Sequence, residues 1–128
     1  MVILSDIQLA QQRLRGIAVR TPLIAYFPPA TESDPPRGQL FFKPESLQPI
    51  GSFKLRGAYN KIASLTDEER RRGVISYSSG NHAQGVAYAA RALGVKAVIV
   101  MPRNAPKIKM EATAALGAEI VTVGTASA

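Results

Sequence analysis

The sequence predicts an α/β fold, a parallel open sheet of βαβ units preceded by an N-terminal helix and strand. Three observations carry this. From Val74 onward, short apolar runs alternate with helix-length segments: 74–78, 96–101 and 119–123 read as strands, and 81–93 and 106–116 as helices. Gly94 and Gly117 stand where helices of that length stop. Ala92-Leu93-Gly94-Val95-Lys96-Ala97-Val98 returns as Ala115-Leu116-Gly117-Ala118-Glu119-Ile120-Val121, marking two successive helix-to-strand joints. Strands spaced by helices join through right-handed crossovers, which makes the sheet parallel.

The first helix is expected from a Ser5-x-x-Gln8 capping box, with Leu4 and Leu9 as a hydrophobic staple and Gly16 as its stop. Ile7, Ala10 and Leu14 then share one face. Thr21-Pro22-Leu23 opens an extended passage, and the prolines and Gly38 make 28–38 a polar loop. Leu40-Phe41-Phe42-Lys43 reads as a strand ending before Pro44. A helix is predicted from about Ser52 to Leu65, placing Lys54 in its first turn. Thr66 and Glu69 form a second capping box on a short helix closed by Gly73. Val98-Ile99-Val100-Met101 is apolar throughout, as expected of a strand covered on both faces.

Size and charge narrow the function. A chain of 128 residues, 46% apolar, suffices for one small domain that buries roughly two thirds of its unfolded surface. A net charge of +7 raises nucleic acid as a partner. The distribution argues against it: Arg70-Arg71-Arg72 follows Asp67-Glu68-Glu69, the order that complements a helix dipole, and the other cations are scattered without interleaved aromatics. No apolar run reaches the length of a membrane span, and the first residues lack the features of a signal peptide. With neither, cytoplasm is the expected compartment, and the absence of Cys excludes a disulfide framework or a thiolate metal site. A single histidine, His82, cannot complete a multi-histidine metal site. Neither a Gly-x-Gly-x-x-Gly turn nor a Walker-type loop occurs, which lowers hydride transfer and nucleotide hydrolysis as functions.

Two segments carry candidate chemistry. In Gly51-Ser52-Phe53-Lys54-Leu55-Arg56-Gly57-Ala58, small and apolar neighbours make Lys54 a candidate for desolvation, which favours a neutral, nucleophilic amine. Arg56, two residues on, faces another side of the helix and reads as structural. Ser78-Ser79-Gly80-Asn81-His82 falls at the C-terminal end of a parallel strand and the N-terminus of the next helix, where backbone N–H groups can hold a carboxylate or phosphate. An ordinary strand-to-helix turn with a Ser or Asn cap fits the same spacing.

Together, Gly-Ser-Phe-Lys-Leu-Arg-Gly-Ala and Ser-Ser-Gly-Asn-His-Ala-Gln-Gly resemble the threonine/serine dehydratase family of fold-type II pyridoxal-phosphate enzymes, which includes serine racemases. Arg20-Thr21-Pro22-Leu23, Lys43-Pro44-Glu45 and Met101-Pro102 with Ala105-Pro106-Lys107 support it, and the likeness runs from about residue 5 to 124. The resemblance implies that Lys54 is the Schiff-base lysine and α-proton base, that Phe53 lies against the cofactor ring, and that Asn81 hydrogen-bonds its 3-hydroxyl. It implies that Ser78, Ser79, Gly80, Asn81 and His82 cradle the carboxylate of L-threonine or L-serine, which is converted to a 2-oxo acid and ammonia. Ser79 stands where racemising members carry the second acid/base; simple donation to the carboxylate is the alternative role.

The resemblance also implies that 1–72 is the N-terminal part of a larger domain and 73–128 a smaller α/β domain incomplete at its C-terminus, with a homo-oligomer at full length. The family's glycine-rich phosphate loop has no counterpart before Ala128, and Ile50 replaces a common Thr. The chain alone is therefore expected to be inactive. An alternative of another class is a truncated, non-catalytic α/β module.

Overall fold

The computed structural model describes residues 1–26 and 39–124. The polar loop expected over 28–38 and the last four residues lie outside the described residues. The elements are α1 (Leu4–Arg13), β1 (Ile24–Tyr26), β2 (Leu40–Phe42), a 3-10 turn (Glu45–Leu47), α2 (Lys54–Ala63), α3 (Asp67–Arg72), β3 (Val74–Tyr77), α4 (Asn81–Ala92), β4 (Ala97–Pro102), α5 (Lys107–Ala115) and β5 (Glu119–Val123).

The expected parallel sheet is present with strand order β3-β4-β5, Val74 opposite Ala97 and Val98 opposite Glu119. A second, antiparallel pair joins β1 to β2, with Ile24 opposite Phe42, and the Tyr26 and Phe42 rings meet edge to face at 5.4 Å. That pairing was not legible beforehand, because the two strands are short and far apart in sequence.

α4 is the centre of the core. Ala83, Val86, Ala87, Ala89 and Ala90 are buried, and α4 touches α2, α5, β3 and β4. Small side chains let all four approach at once. α2 contributes Leu55, Ala58, Tyr59 and Ile62, the stripe that a 3.6-residue period places on one face. β4 supplies Ala97, Ile99 and Met101 from alternate positions. Val98 and Val100 are only half-buried, so the strand is not covered on both faces as expected. The reason is topological: successive right-handed crossovers stepping one way across a sheet leave both connecting helices on one face, and α4 and α5 indeed touch each other.

The joints obey local chemistry. Thr66 Oγ1 accepts from the Glu69 N–H at 3.2 Å while the Glu69 carboxylate accepts from the Thr66 N–H at 2.7 Å, the predicted reciprocal cap of α3. Gly73 turns from α3 into β3 at φ +83°, and a Cβ there would sit 2.8 Å from the Lys96 carbonyl, to which Val74 N–H donates. Only glycine fits.

α1 departs from expectation. Ser5 does not cap it; the N-cap is Ile3, two residues earlier, and the Asp6 carboxylate accepts from the Ile3 N–H at 3.0 Å. A carboxylate three residues on, reaching back to the Ile3 N–H, outcompetes the hydroxyl in setting the start of the helix. Leu14 packs against the core, but Ile7 is exposed. Among the described residues, no helix is long and apolar enough to cross a membrane, and no group of three or more His, Cys, Asp or Glu is placed to hold a metal ion.

Candidate active site

Lys54 is the first residue of α2, entered through a turn in which Gly51 takes φ +68° and the buried Ser52 hydroxyl accepts the Lys54 N–H at 3.2 Å. Its side chain is exposed, with Nζ 4.7 Å from the centre of the Phe53 ring, which is itself 57% exposed. The desolvation expected from its neighbours therefore does not occur. Leu55 takes the inward position on this turn, so Lys54 is left at the open margin.

The 78–82 loop is anchored at its start: Ser78 N–H donates to the Val100 carbonyl at 3.1 Å, continuing the sheet ladder. Ser78 Oγ accepts from the Gly80 N–H at 3.3 Å. Gly80 is the N-cap residue of α4 and provides no side-chain cap, so neither a Ser nor an Asn cap forms. The first N–H groups of α4 lack intrahelical acceptors by construction and carry the positive end of its dipole. Ser78 is half-buried, whereas Ser79 and Asn81 are exposed. Asn81 Oδ1 accepts from Lys109 Nζ of α5 at 2.7 Å.

Gly85 joins the two segments. A Cβ at this position of α4 would lie 3.1 Å from the Lys54 carbonyl oxygen and 3.4 Å from Ala58 Cβ, so the bare glycine lets α4 pack directly on the start of α2. The backbone of Lys54 is thereby seated one turn along from Asn81. His82 follows Asn81 on the first turn of α4 and is exposed. It lines a largely apolar cavity of ≈ 430 Å³ with Gly57, Ala58, Ile62, Ser76 and Val86, whose lining includes neither Lys54 nor Ser78, Ser79, Gly80 and Asn81.

On the other side of α2, Arg56 donates through Nε to Glu45 Oε2 at 2.7 Å and through Nη2 to Glu45 Oε1 at 2.8 Å and the Val19 carbonyl at 2.9 Å. Thr21 Oγ1 and Gln48 Nε2 also donate to Glu45, at 2.6 and 3.2 Å. The Arg56 hydrogen bond, opposed by burial and reinforced by Thr21, Arg56's charge and Gln48, holds the Glu45 carboxyl down at about 2. This knot ties residues 19–21, the 3-10 turn and α2 together, matching the structural role expected for Arg56. The contacts of Glu45, Gly85 and Lys109 carry no signal in the sequence. Glu45 and Arg56 are eleven positions apart with no periodic signal, and the partners of Gly85 and Lys109 lie on other elements.

The sequence profile of the family described as "Pyridoxal-phosphate dependent enzyme" matches residues 14–128. The chain is 51% identical to the L-threonine ammonia-lyase of Thermotoga maritima over 124 residues, covering 97% of this chain and 30% of that protein. It is 46% identical to the catabolic L-threonine dehydratase of Escherichia coli K12, covering 96% of this chain and 36% of that one. The crystal structure of serine racemase from Dictyostelium discoideum superposes with a TM-score of 0.84 at 35% identity, over 98% of this chain and 40% of the racemase. The chain thus spans about a third of the length of the curated relatives it matches. With the start of α2 packed on α4 beside an open parallel sheet, and a family profile covering all but the first 13 residues, the chain belongs to the pyridoxal-phosphate dependent enzymes.

Proposed function

We propose that the protein at its native length is a threonine/serine dehydratase, an ammonia-lyase that eliminates water from L-threonine or L-serine and yields a 2-oxo acid and ammonia. The observation that supports the reading is the Gly85 contact, which seats the backbone of Lys54, whose side chain is exposed, against the helix that follows Ser78-Ser79-Gly80. The names of the relatives at 46–51% identity support the substrate class.

The residues present fit the aldehyde-bearing end of pyridoxal phosphate: a solvent-accessible primary amine, an exposed aromatic face beside it, and polar donors at a helix N-terminus. Lys54 would hold the group covalently, Phe53 would flank its ring and Asn81 would meet its 3-oxygen. When bound, the cofactor supplies an electron sink for the carbanion formed at the substrate α-carbon. Once the substrate amine has taken its place and freed it, Lys54 Nζ would take the α-proton. The N-terminal turn of α4, with Ser78, Ser79, Gly80 and Asn81, binds and orients the substrate carboxylate. The β-hydroxyl leaves with a proton as water, and the released enamine tautomerises and hydrolyses to the 2-oxo acid and ammonia. His82, the second residue of α4, completes this set at the helix N-terminus.

The same reading includes a cytoplasmic homo-oligomer and a division between a larger domain containing 1–72 and a smaller one beginning at 73, in which α2 nevertheless shares the core of α4. Limited proteolysis of the native-length protein tests the division.

Incubation with L-threonine and L-serine should release 2-oxobutanoate and pyruvate with equimolar ammonia, and borohydride reduction should fix the cofactor on Lys54. Modification of another lysine, or no oxo acid from either substrate, would overturn the proposal. A racemase reading is favoured by the hydroxyl at Ser79 and by the serine racemase likeness. Ser79→Ala separates the two: a carboxylate donor gives parallel loss of elimination and racemisation, whereas a second base gives loss of racemisation alone.

A further inference from the structure

Lys109 belongs to none of the roles assigned above, yet it crosses from α5 to the first residue of α4. Its Nζ donates to Asn81 Oδ1 at 2.7 Å. The lysine is half-buried, and the turn that carries it is seated by Thr113, which is fully buried and donates its hydroxyl to the Lys109 carbonyl at 2.7 Å. Lys107, two residues earlier, behaves differently: it is almost fully exposed and pairs with Glu111 within α5.

An ammonium group has donors and no acceptor, while a carboxamide has one acceptor oxygen and one donor NH₂. Lys109 can therefore bind Asn81 only through Oδ1, and this dictates which end of the amide is left for anything else. We propose that Lys109 is a positioning residue that fixes the Asn81 amide so that Nδ2 is presented at the N-terminus of α4. The inference rests on the dehydratase reading for the identity of the group that Nδ2 meets. An anionic oxygen, either the 3-oxygen of the cofactor or a substrate carboxylate, needs a donor there; the flipped amide would turn lone pairs towards it. Lys109 thus converts a side chain with two possible faces into a committed donor without touching the ligand itself.

The test uses the native-length protein with Lys109→Met, Lys109→Arg, Asn81→Ala and the Lys109→Met/Asn81→Ala double variant. Two readouts are taken: the side-chain amide ¹⁵N–¹H resonances of Asn81 without cofactor, and the dissociation constant of pyridoxal 5'-phosphate. The Asn81 resonances should shift in Lys109→Met and stay near their original positions in Lys109→Arg. Cofactor affinity should fall about tenfold in Lys109→Met, the size of one charge-assisted hydrogen bond, and be restored to within about threefold by Lys109→Arg. In the Asn81→Ala background, Lys109→Met should cost nothing further, the signature of action through Asn81. Unmoved Asn81 resonances, or an equal loss of affinity in the Asn81→Ala background, would overturn the proposal. Failure of the unaltered protein to bind the cofactor would sink the dehydratase reading instead, and the resonances would still decide the orientation of the amide.

Discussion

Lys54 and Arg56 are two cations on one turn of α2 with opposite surroundings. Arg56 spends its guanidinium on Glu45 and the Val19 carbonyl and is about two-thirds buried at the side chain. Lys54 is exposed, and its Nζ has no hydrogen-bond acceptor among the described residues, only the face of Phe53. A planar fork suits a carboxylate that must be held permanently, while a flexible amine suits the reactive role proposed for Lys54. Proximity in sequence says little about role here; the direction in which each side chain leaves the helix decides it.

The sharpest way to break the comparison is to remove each cation in turn. Lys54→Ala should lower oxo-acid formation by about 10³-fold or more while leaving the thermal midpoint nearly unchanged, since the residue supports no internal contact that the fold needs. Arg56→Met should do the reverse, costing about 2–3 kcal/mol of stability in a denaturant titration, because the largely buried Glu45 loses its principal partner. If Arg56→Met abolished turnover without loss of stability, the division of labour would be wrong.

Acid should expose the same knot. Glu45 ordinarily titrates near 4.5 and is held at about 2 in the folded chain, so its contribution to stability is complete above about 4.5 and is lost as the pH falls towards 2. Unfolding midpoints measured over that range should fall in the unaltered protein and fall less steeply in Glu45→Gln. The smallest effect is expected far from both cations: Thr66→Ala removes the α3 cap and should cost about 1 kcal/mol with turnover unchanged.

These contrasts also explain what was legible in the sequence. The β3-α4-β4-α5-β5 run could be read because each of its signals is local: strand alternation, glycine at 94 and 117, the Thr66-Glu69 box. The motifs at Lys54 and at Ser78 to His82 were visible for the same reason, and α2 begins at Lys54 as expected to within two residues. Failures occurred where a partner lies on another element. The exposure of Lys54 depends on Leu55 claiming the core, the sharing of Asn81 depends on a lysine 28 residues away, and the half-open face of β4 depends on the side to which α4 and α5 both fold. α1 failed for a different reason, because two overlapping caps were available and the carboxylate of Asp6 won over the hydroxyl of Ser5.

The close approach of Gly85 to the Lys54 carbonyl has a mechanical meaning. Packed interiors transmit displacement rather than absorb it, and this contact has no side chain to act as a cushion. A shift of α4 is therefore handed to the backbone of the first turn of α2 rather than absorbed between them. A methyl group at residue 85 would push the two helices apart by a few tenths of an ångström without touching the Lys54 side chain or the 78–81 loop.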